Sequence, residues 1–298
     1  MCGIIGLLQP GLRDEEIKER LLCAANSLSH RGPDAAGFWQ DASAGIGFGH
    51  RRLSIIDLSP HGSQPMISKS GRYVITYNGE VYNYAPMLKE LAELGHAFNG
   101  HSDTEVLLAG FEQWGLEETI KRSVGMFALG VWDRRENILT LVRDRLGIKP
   151  LYYGWVNSTF VFGSELKAFR VMPGFQNPIQ RDALDLFLRY NYIPAPYSIY
   201  EKIFKLPPGT MLRIKPGNAL ENPTPMPYWS AREIALRGQE SAKQITDQEA
   251  IEQTEALLRE AVGLCMVSDV PVGVFLSGGI DSSIVTALMQ SQIGRAHV

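Results

Sequence analysis

The chain has 298 residues, a net charge of −3 and 45% hydrophobic residues. At roughly 150 residues per domain, this length predicts about two domains with the composition of an ordinary globular protein. These values exclude fibrous, disordered and membrane-spanning classes, and the small negative charge favours binding to neither nucleic acid nor an anionic membrane. The three cysteines form no CxxC pair, so we expect no disulfide framework, no zinc site and a reduced, cytoplasmic location.

The predicted elements of the first half are short strands with helices grouped between them. A strand over 2–8 precedes an amphipathic helix over 14–29. The β-prone runs that follow are 44–49, 52–56, 73–78, 125–132, 138–143, 151–155 and 159–163, and two helices are predicted at about 84–95 and 103–113. This arrangement indicates an α+β sandwich rather than a regular βαβ alternation.

Prolines cluster between residues 170 and 245, which is typical of a connection between domains. Within this stretch a short helix over 181–190 and a hairpin near 199–214 are predicted.

The C-terminal part is typical of the opening of an α/β domain. Thr246 and Glu249 match a capping box, so a helix is expected from there to about 266. The apolar run 272–276 predicts a buried parallel strand, followed by a glycine-rich loop and a helix from about 282. One strand cannot bury a parallel sheet, so we expect only the start of this domain. Residues 293–298 match one reading frame of a common sequencing adapter, and we expect them to be a non-native tail.

Cys2 directly follows the initiator methionine. A small second residue usually permits removal of that methionine, which would leave a thiol and a free α-amine on one residue. The amine, with an ordinary pKa of about 7.7–8.0, can accept the thiol proton near neutral pH. Cys2 is therefore a candidate N-terminal nucleophile, and the alternative is a buried cysteine at the start of a strand.

Five motifs occur in a fixed order along the chain: Met1–Gly6 (MCGIIG), His30–Asp34 (HRGPD), Arg52–Asp57 (RLSIID), Tyr77–Glu80 (YNGE) and Ser102–Asp103 (SD). Together they resemble the class II glutamine amidotransferases over roughly residues 2–205. The resemblance implies an N-terminal-nucleophile αββα sandwich that hydrolyses glutamine to glutamate and ammonia through Cys2, without a cofactor. The HRGPD segment is interpreted as a turn without a chemical role.

The resemblance also implies a role for each further site residue, and the side-chain chemistry suits these roles. Arg52 would bind the α-carboxylate of glutamine, and Asp103, with help from Glu80, would bind the α-ammonium. The amide of Asn78 and the backbone N–H of Gly79 would form the oxyanion hole. Taken singly, Asn78-Gly79 is also a hairpin-turn signal, and Arg52 and Asp103 are ordinary surface residues.

The segment Phe275–Ser283 (FLSGGIDSS) lies between the last predicted strand and helix. Its glycines and hydroxyls can present N–H groups to an anion at a helix N-terminus, and it resembles the pyrophosphate loop of the ATP-pyrophosphatases. An ordinary glycine-rich turn is the alternative. The residues that the resemblance assigns to ATP are Leu276, Ser277, Gly278, Gly279, Asp281 and Ser282. Asp281 would also assist Mg²⁺ coordination.

The combination of both parts resembles the glutamine-hydrolysing asparagine synthetase family, as do the segments 143–153, 162–168, 192–196 and 205–209. The expected organisation is a glutaminase domain over 2–205, a connecting segment over 206–245 and a truncated synthetase domain over 246–292. The family implies an ATP-dependent carbon–nitrogen ligase in which ammonia aminates β-aspartyl-AMP to asparagine. Its substrates are glutamine, ATP and aspartate, and the resemblance further implies a homodimer.

Because most of the synthetase domain is missing, we expect this chain to keep only the glutaminase half. A related ATP-dependent amidotransferase with another acceptor stays open, although the intact Cys2 argues against the β-lactam synthetases. A catalytically inactive fragment or a docking module also stays open, and a retained Met1 would favour it.

Overall fold

The computed structural model describes residues 1–217, 223–241 and 245–293. Except for Ile293, the expected non-native tail lies outside these residues. The elements, in chain order, are β1 (Gly3–Leu8), α1 (Asp14–Ser27), β2 (Ala35–Asp41), β3 (Ile46–Arg52), β4 (Met66–Ile67), β5 (Tyr73–Val81), α2 (Tyr84–Glu93), α3 (Asp103–Gln113), α4 (Leu116–Arg122), β6 (Gly125–Asp133), β7 (Ile138–Arg143), β8 (Tyr152–Val156), β9 (Thr159–Gly163), α5 (Lys167–Arg170), α6 (Arg181–Tyr190), β10 (Ile203–Lys205), β11 (Thr210–Ile214), β12 (Met226–Pro227), α7 (Ala231–Glu240), α8 (Asp247–Leu264) and α9 (Ile280–Ile293).

The strands form two six-stranded sheets in which every pairing is antiparallel. The first sheet has the order β10-β8-β9-β1-β3-β2, and the second has the order β12-β11-β7-β6-β5-β4. One apolar core lies between the sheets, a second beneath α2 and α3, and a third beneath α1. This is the predicted αββα sandwich, and the prediction is confirmed.

Strand β1 shows why its sequence is almost continuously apolar. Successive side chains of a strand point to opposite faces, and both faces of β1 are buried. Ile4 and Leu8 belong to the core between the sheets, whereas Ile5 and Leu7 pack beneath α1. The strand is therefore fixed on both sides, directly after Cys2.

The ring of Phe162 fills a gap between the two sheets that glycines leave open. A Cβ built on Gly6 of β1 would overlap this ring, and one built on Gly130 of β6 would lie 2.5 Å from it. Both glycines are therefore required by the packing of one side chain.

Two details of the strands predicted before residue 217 are wrong. The run 52–56 is not a separate strand, because β3 spans Ile46–Arg52 and a loop follows it. The hairpin near 199–214 does not form, because β10 pairs with β8 in the first sheet and β11 pairs with β7 in the second. Pro207 and Pro208, which lie between β10 and β11, lack the N–H groups that a hairpin ladder requires.

The chain divides into two compact units, Met1–Ala231 and Arg232–Val298. The first unit includes β11 and β12, which lie in the segment expected to be a connection. Strand β11 pairs with β7 on one side and with β12 on the other.

In the second unit, the capping box is confirmed: Glu249 N–H donates to Thr246 Oγ1 at 3.2 Å, and Thr246 N–H donates to Glu249 Oε2 at 2.8 Å. The predicted strand 272–276 does not form, and the described part of this unit contains no strand that could pair with it. Of all the described helices, none combines the length and the apolar character needed to cross a bilayer.

Candidate functional site

The first unit contains a cleft where β1, β3, β5 and α3 meet. It brings together all six residues that the sequence assigns to glutamine hydrolysis. Its lining includes Cys2, Arg52, Leu53, Gln64, Tyr77, Asn78, Gly79, Glu80, Asp103, Thr104 and Lys149.

Cys2 is half-buried at the start of β1, and its thiol faces the backbone of Leu53. The N–H of Leu53 donates to Cys2 Sγ at 3.4 Å, and Sγ lies 3.5 Å from Leu53 O. Burial raises the pKa of the Cys2 thiol, and the hydrogen bond from Leu53 opposes this shift. Burial also lowers the pKa of the N-terminal amine, which belongs to Met1 in this structure and precedes Cys2.

Arg31 fixes the backbone of Cys2, a contact that is not predicted from the sequence. Its Nε donates to Cys2 O at 2.9 Å, and its Nη1 forms an ion pair with Glu165 at 2.9 Å. The HRGPD segment does form a turn, but its arginine points into the molecule. Nothing in the local sequence distinguishes this arginine from a solvated turn residue.

Asn78 and Gly79 lie inside β5, opposite Ala128 and Phe127 of β6, so the hairpin-turn interpretation is wrong. The side chain of Asn78 is only 1% exposed, and its Nδ2 has no hydrogen-bond partner among the described residues. A buried amide donor without an acceptor is costly, which indicates a site prepared for an incoming oxygen atom.

The backbone N–H of Gly79 points to the same edge of β5 as the N–H groups of Tyr77 and Val81, which lie two residues before and after it. Tyr77 N–H donates to Gln64 Oε1 at 2.7 Å and Val81 N–H donates to Asp103 Oδ2 at 2.9 Å, both away from β6. Because alternate residues of an antiparallel strand direct their N–H groups to the same side, that of Gly79 faces the cleft.

The glycine at position 79 is required by the sheet. A Cβ built there would lie 2.7 Å from Phe127 Cα of the neighbouring strand.

Arg52 and Asp103 are 8% and 6% exposed, so the interpretation as surface residues is wrong. Arg52 ends β3 and donates through Nη1 to Ser59 O at 3.0 Å and through Nη2 to Asp57 O. Asp103 begins α3 and accepts from Tyr77 Oη at 2.6 Å and from Val81 N–H. Burial raises the pKa of the Asp103 carboxyl, and these hydrogen bonds oppose the shift.

Glu80 and Lys149 both line the cleft, and their opposite charges interact. Burial raises the pKa of the Glu80 carboxyl and lowers that of the Lys149 ammonium, while each charge opposes the shift of the other. No role for Lys149 is predicted from the sequence, because a lysine in the GIKPL segment gives no sign of its burial.

In the second unit, the glycine-rich loop is exposed and leads into α9. Gly278 has a φ of +83°, which favours glycine. The hydroxyls of Ser277 and Ser282 lie 3.0 Å apart, and Ser282 Oγ donates to Gly279 O at 3.1 Å. The positive φ, the hydroxyls and the helix N-terminus fit a phosphate group.

Within residues 1–217, 223–241 and 245–293, no group of three or more His, Cys, Asp or Glu side chains could hold a metal ion. Asp281 is the acidic residue of the loop, and it follows Ile280 at the start of α9.

Comparison with known proteins gives two family matches. The model of the glutamine amidotransferase domain matches residues 1–229, and that of asparagine synthase matches residues 253–297. A solved glutamine phosphoribosylpyrophosphate amidotransferase from Bacillus subtilis, complexed with ADP and GMP, superimposes with a TM-score of 0.56 at 20% identity, over 76% of this chain and 49% of that chain. That likeness concerns the fold alone.

Three relatives with known names match nearly the whole chain. Asparagine synthetase [glutamine-hydrolyzing] 1 of Bacillus subtilis is 36% identical over 97% of this chain and 44% of that protein. A putative asparagine synthetase [glutamine-hydrolyzing] 2 of Methanocaldococcus jannaschii is 36% identical over 97% of this chain and 57% of that protein. Amidase chry2 of Gibberella zeae is 34% identical over 98% of this chain and 43% of that protein. The chain thus spans about half the length of these relatives.

Proposed function

The chain belongs to the glutamine amidotransferase domain family, with the start of an asparagine synthase domain after it, and on that premise we propose that its cleft hydrolyses glutamine with Cys2 as nucleophile. The observation that carries this proposal is the buried, unpartnered Nδ2 of Asn78 in the same cleft as the thiol. A donor held without an acceptor suits an oxyanion that exists only during the reaction.

In the proposed reaction, loss of Met1 frees the α-amine of Cys2, which takes the thiol proton. Sγ attacks the amide carbon of glutamine. The amide oxygen, now an oxyanion, accepts hydrogen bonds from the N–H groups of Asn78 and Gly79. The carbon–nitrogen bond breaks, the amine returns its proton to the leaving ammonia, and a γ-glutamyl thioester forms. Water then attacks the thioester, with the amine as base, and releases glutamate and the thiol.

The ends of the substrate would be held by the two buried charges of the cleft. The α-carboxylate would pair with Arg52 and the α-ammonium with Asp103, with Glu80 as a second acidic group. Because both charges are desolvated, a ligand without either end would leave one of them unpaired. We therefore expect selection for free glutamine over simple amides.

For the longer protein, the same proposal extends to an asparagine synthetase. ATP would bind at Leu276, Ser277, Gly278, Gly279, Asp281 and Ser282. Asp281 would assist Mg²⁺, which supplies charge neutralisation at the phosphates. Ammonia would then aminate aspartate activated as β-aspartyl-AMP. The relative named as an amidase keeps another acceptor open as the second candidate function. A homodimer and a cytoplasmic location complete the proposal.

The test is glutamate release from glutamine by this 298-residue chain, with intact mass to confirm the loss of Met1. Cys2→Ala should abolish the release, whereas Cys23→Ala, at an exposed cysteine, should leave it unchanged. Release that persists in Cys2→Ala would place the activity elsewhere. No release from a folded chain that has lost Met1 would contradict the proposed glutaminase.

A further inference from the structure

Lys149 is a buried cation without an ion pair. It is 4% exposed, and no described residue places an acidic oxygen within 4.0 Å of its Nζ or accepts a hydrogen bond from it. Lysine is almost never fully buried unless it is paired, because desolvation of the ammonium is costly. The charge of Lys149 is therefore not compensated by an ion pair in the described structure, and it lines the same cleft as Cys2.

The backbone around Lys149 is clamped on both sides. Buried Asp144 accepts the N–H groups of Ile148 and Lys149, each at 2.9 Å. Arg143 Nε donates to Lys149 O at 2.9 Å and its Nη2 donates to Gly147 O at 2.7 Å. The backbone of the loop is thus fixed after β7, and the side chain of Lys149 lines the cleft.

Lys149 lines the same cleft as Met1, Cys2 and Glu80. Its charge interacts with Glu80, Cys2, Arg31, Asp144 and the N-terminal amine of Met1. Cys2 in turn faces that amine, Arg52 and Asp103. A positive charge favours an anion and disfavours a second cation in the same low-dielectric space. An N-terminal nucleophile requires a thiolate and an unprotonated amine, and the two effects favour these forms.

We propose that Lys149 is a positioning residue for the nucleophile, whose ammonium in the cleft favours the thiolate of Cys2 and, once Met1 is lost, the unprotonated α-amine of Cys2. Lys149 acts through Cys2 and touches no reacting atom. The contribution of Lys149 to glutamine turnover rests on the proposed glutaminase function, whereas its effect on the Cys2 thiol does not.

The experiment is the pH dependence of alkylation of Cys2 by iodoacetamide in the 298-residue chain, measured on the peptide that contains Cys2 because Cys23 and Cys265 are exposed. Lys149→Met removes the charge and keeps the length of the side chain, and Lys149→Arg keeps the charge. Lys18→Met, at an exposed position on α1, is the control.

We expect the alkylation midpoint of Lys149→Met to rise by about one pH unit, and those of Lys149→Arg and Lys18→Met to stay where they are. The thermal midpoint of Lys149→Met should stay equal or rise, since an unpaired buried charge is removed. An unchanged alkylation midpoint in Lys149→Met overturns the proposal. If that variant does not fold, Lys149→Gln takes its place with the same expected shift.

Glutamine hydrolysis is measured on the same variants. A shifted alkylation midpoint in Lys149→Met together with no hydrolysis by the parent chain would support the positioning role of Lys149 and contradict the glutaminase function. An unchanged midpoint together with hydrolysis would do the reverse.

Discussion

Arg31 holds the carbonyl of Cys2 through a hydrogen bond of 2.9 Å, although the two residues are 29 positions apart in the chain. The same guanidinium is anchored by Glu165 near the end of β9. A three-part contact therefore ties the residue that carries the thiol to two separate loops, and the position of Sγ depends on it.

Arg31→Ala should lower kcat for glutamine about 100-fold, because a displacement of the nucleophile of about 1 Å costs that much. KM should change far less, since Arg31 does not line the cleft. Steady-state kinetics check this, and Arg135→Ala, at an exposed arginine, is the control. A variant with wild-type kcat would show that the hydrogen bond has no part in catalysis.

Asn78→Ala should lower kcat by about 10²–10³-fold, the range for loss of one oxyanion donor. Its unfolding free energy should fall by less than about 1 kcal/mol, because the lost amide nitrogen has no partner in the described structure. Kinetics and urea denaturation of one preparation separate the two effects. A large loss of stability with little loss of kcat would reverse the assignment.

Tyr77→Phe should raise KM for glutamine about tenfold with little change in kcat. The variant loses the hydrogen bond of 2.6 Å to Asp103, which helps to keep that buried carboxyl charged. Binding of the α-ammonium would weaken as a result. The control is Tyr190→Phe at an exposed tyrosine on α6. Equal KM values in Tyr77→Phe and the parent chain would argue against Asp103 as the ammonium site.

His50 gives a prediction for stability. Burial lowers its pKa from 6.5 to about 4, and its Nε2 donates to Tyr77 O at 3.0 Å, so the native ring is neutral. The unfolded chain binds the extra proton first as the pH falls. The free energy of unfolding should therefore have its full value above pH 6.5 and decrease by about 3 kcal/mol toward pH 4.

Urea denaturation between pH 4 and 7 measures this slope. His50→Gln, which can still donate to Tyr77 O, should flatten the pH dependence, whereas His61→Gln at an exposed histidine should keep it. The idea fails if His50→Gln retains the full slope.

The sequence was sufficient to predict the sandwich and to nominate six residues that lie in one cleft, because ordered motifs report which loops meet. It could not predict Arg31 or Lys149 in their observed positions, since burial of a charged side chain depends on distant elements such as β9 and the loop after β7. The mistaken hairpin near 199–214 has the same origin: local strand propensity does not say to which sheet a strand belongs.

The packing of Phe162 means that substitutions at Gly6, Gly130 and Phe162 are coupled. Gly6 lies four residues after Cys2, and Gly130 pairs with Thr76, two residues before Asn78. One ring thus sets the separation between the strand of the nucleophile and the strand pair that carries the amide of Asn78. A larger residue at either glycine is tolerated only with a smaller residue at position 162, so these three positions can diverge only in concert.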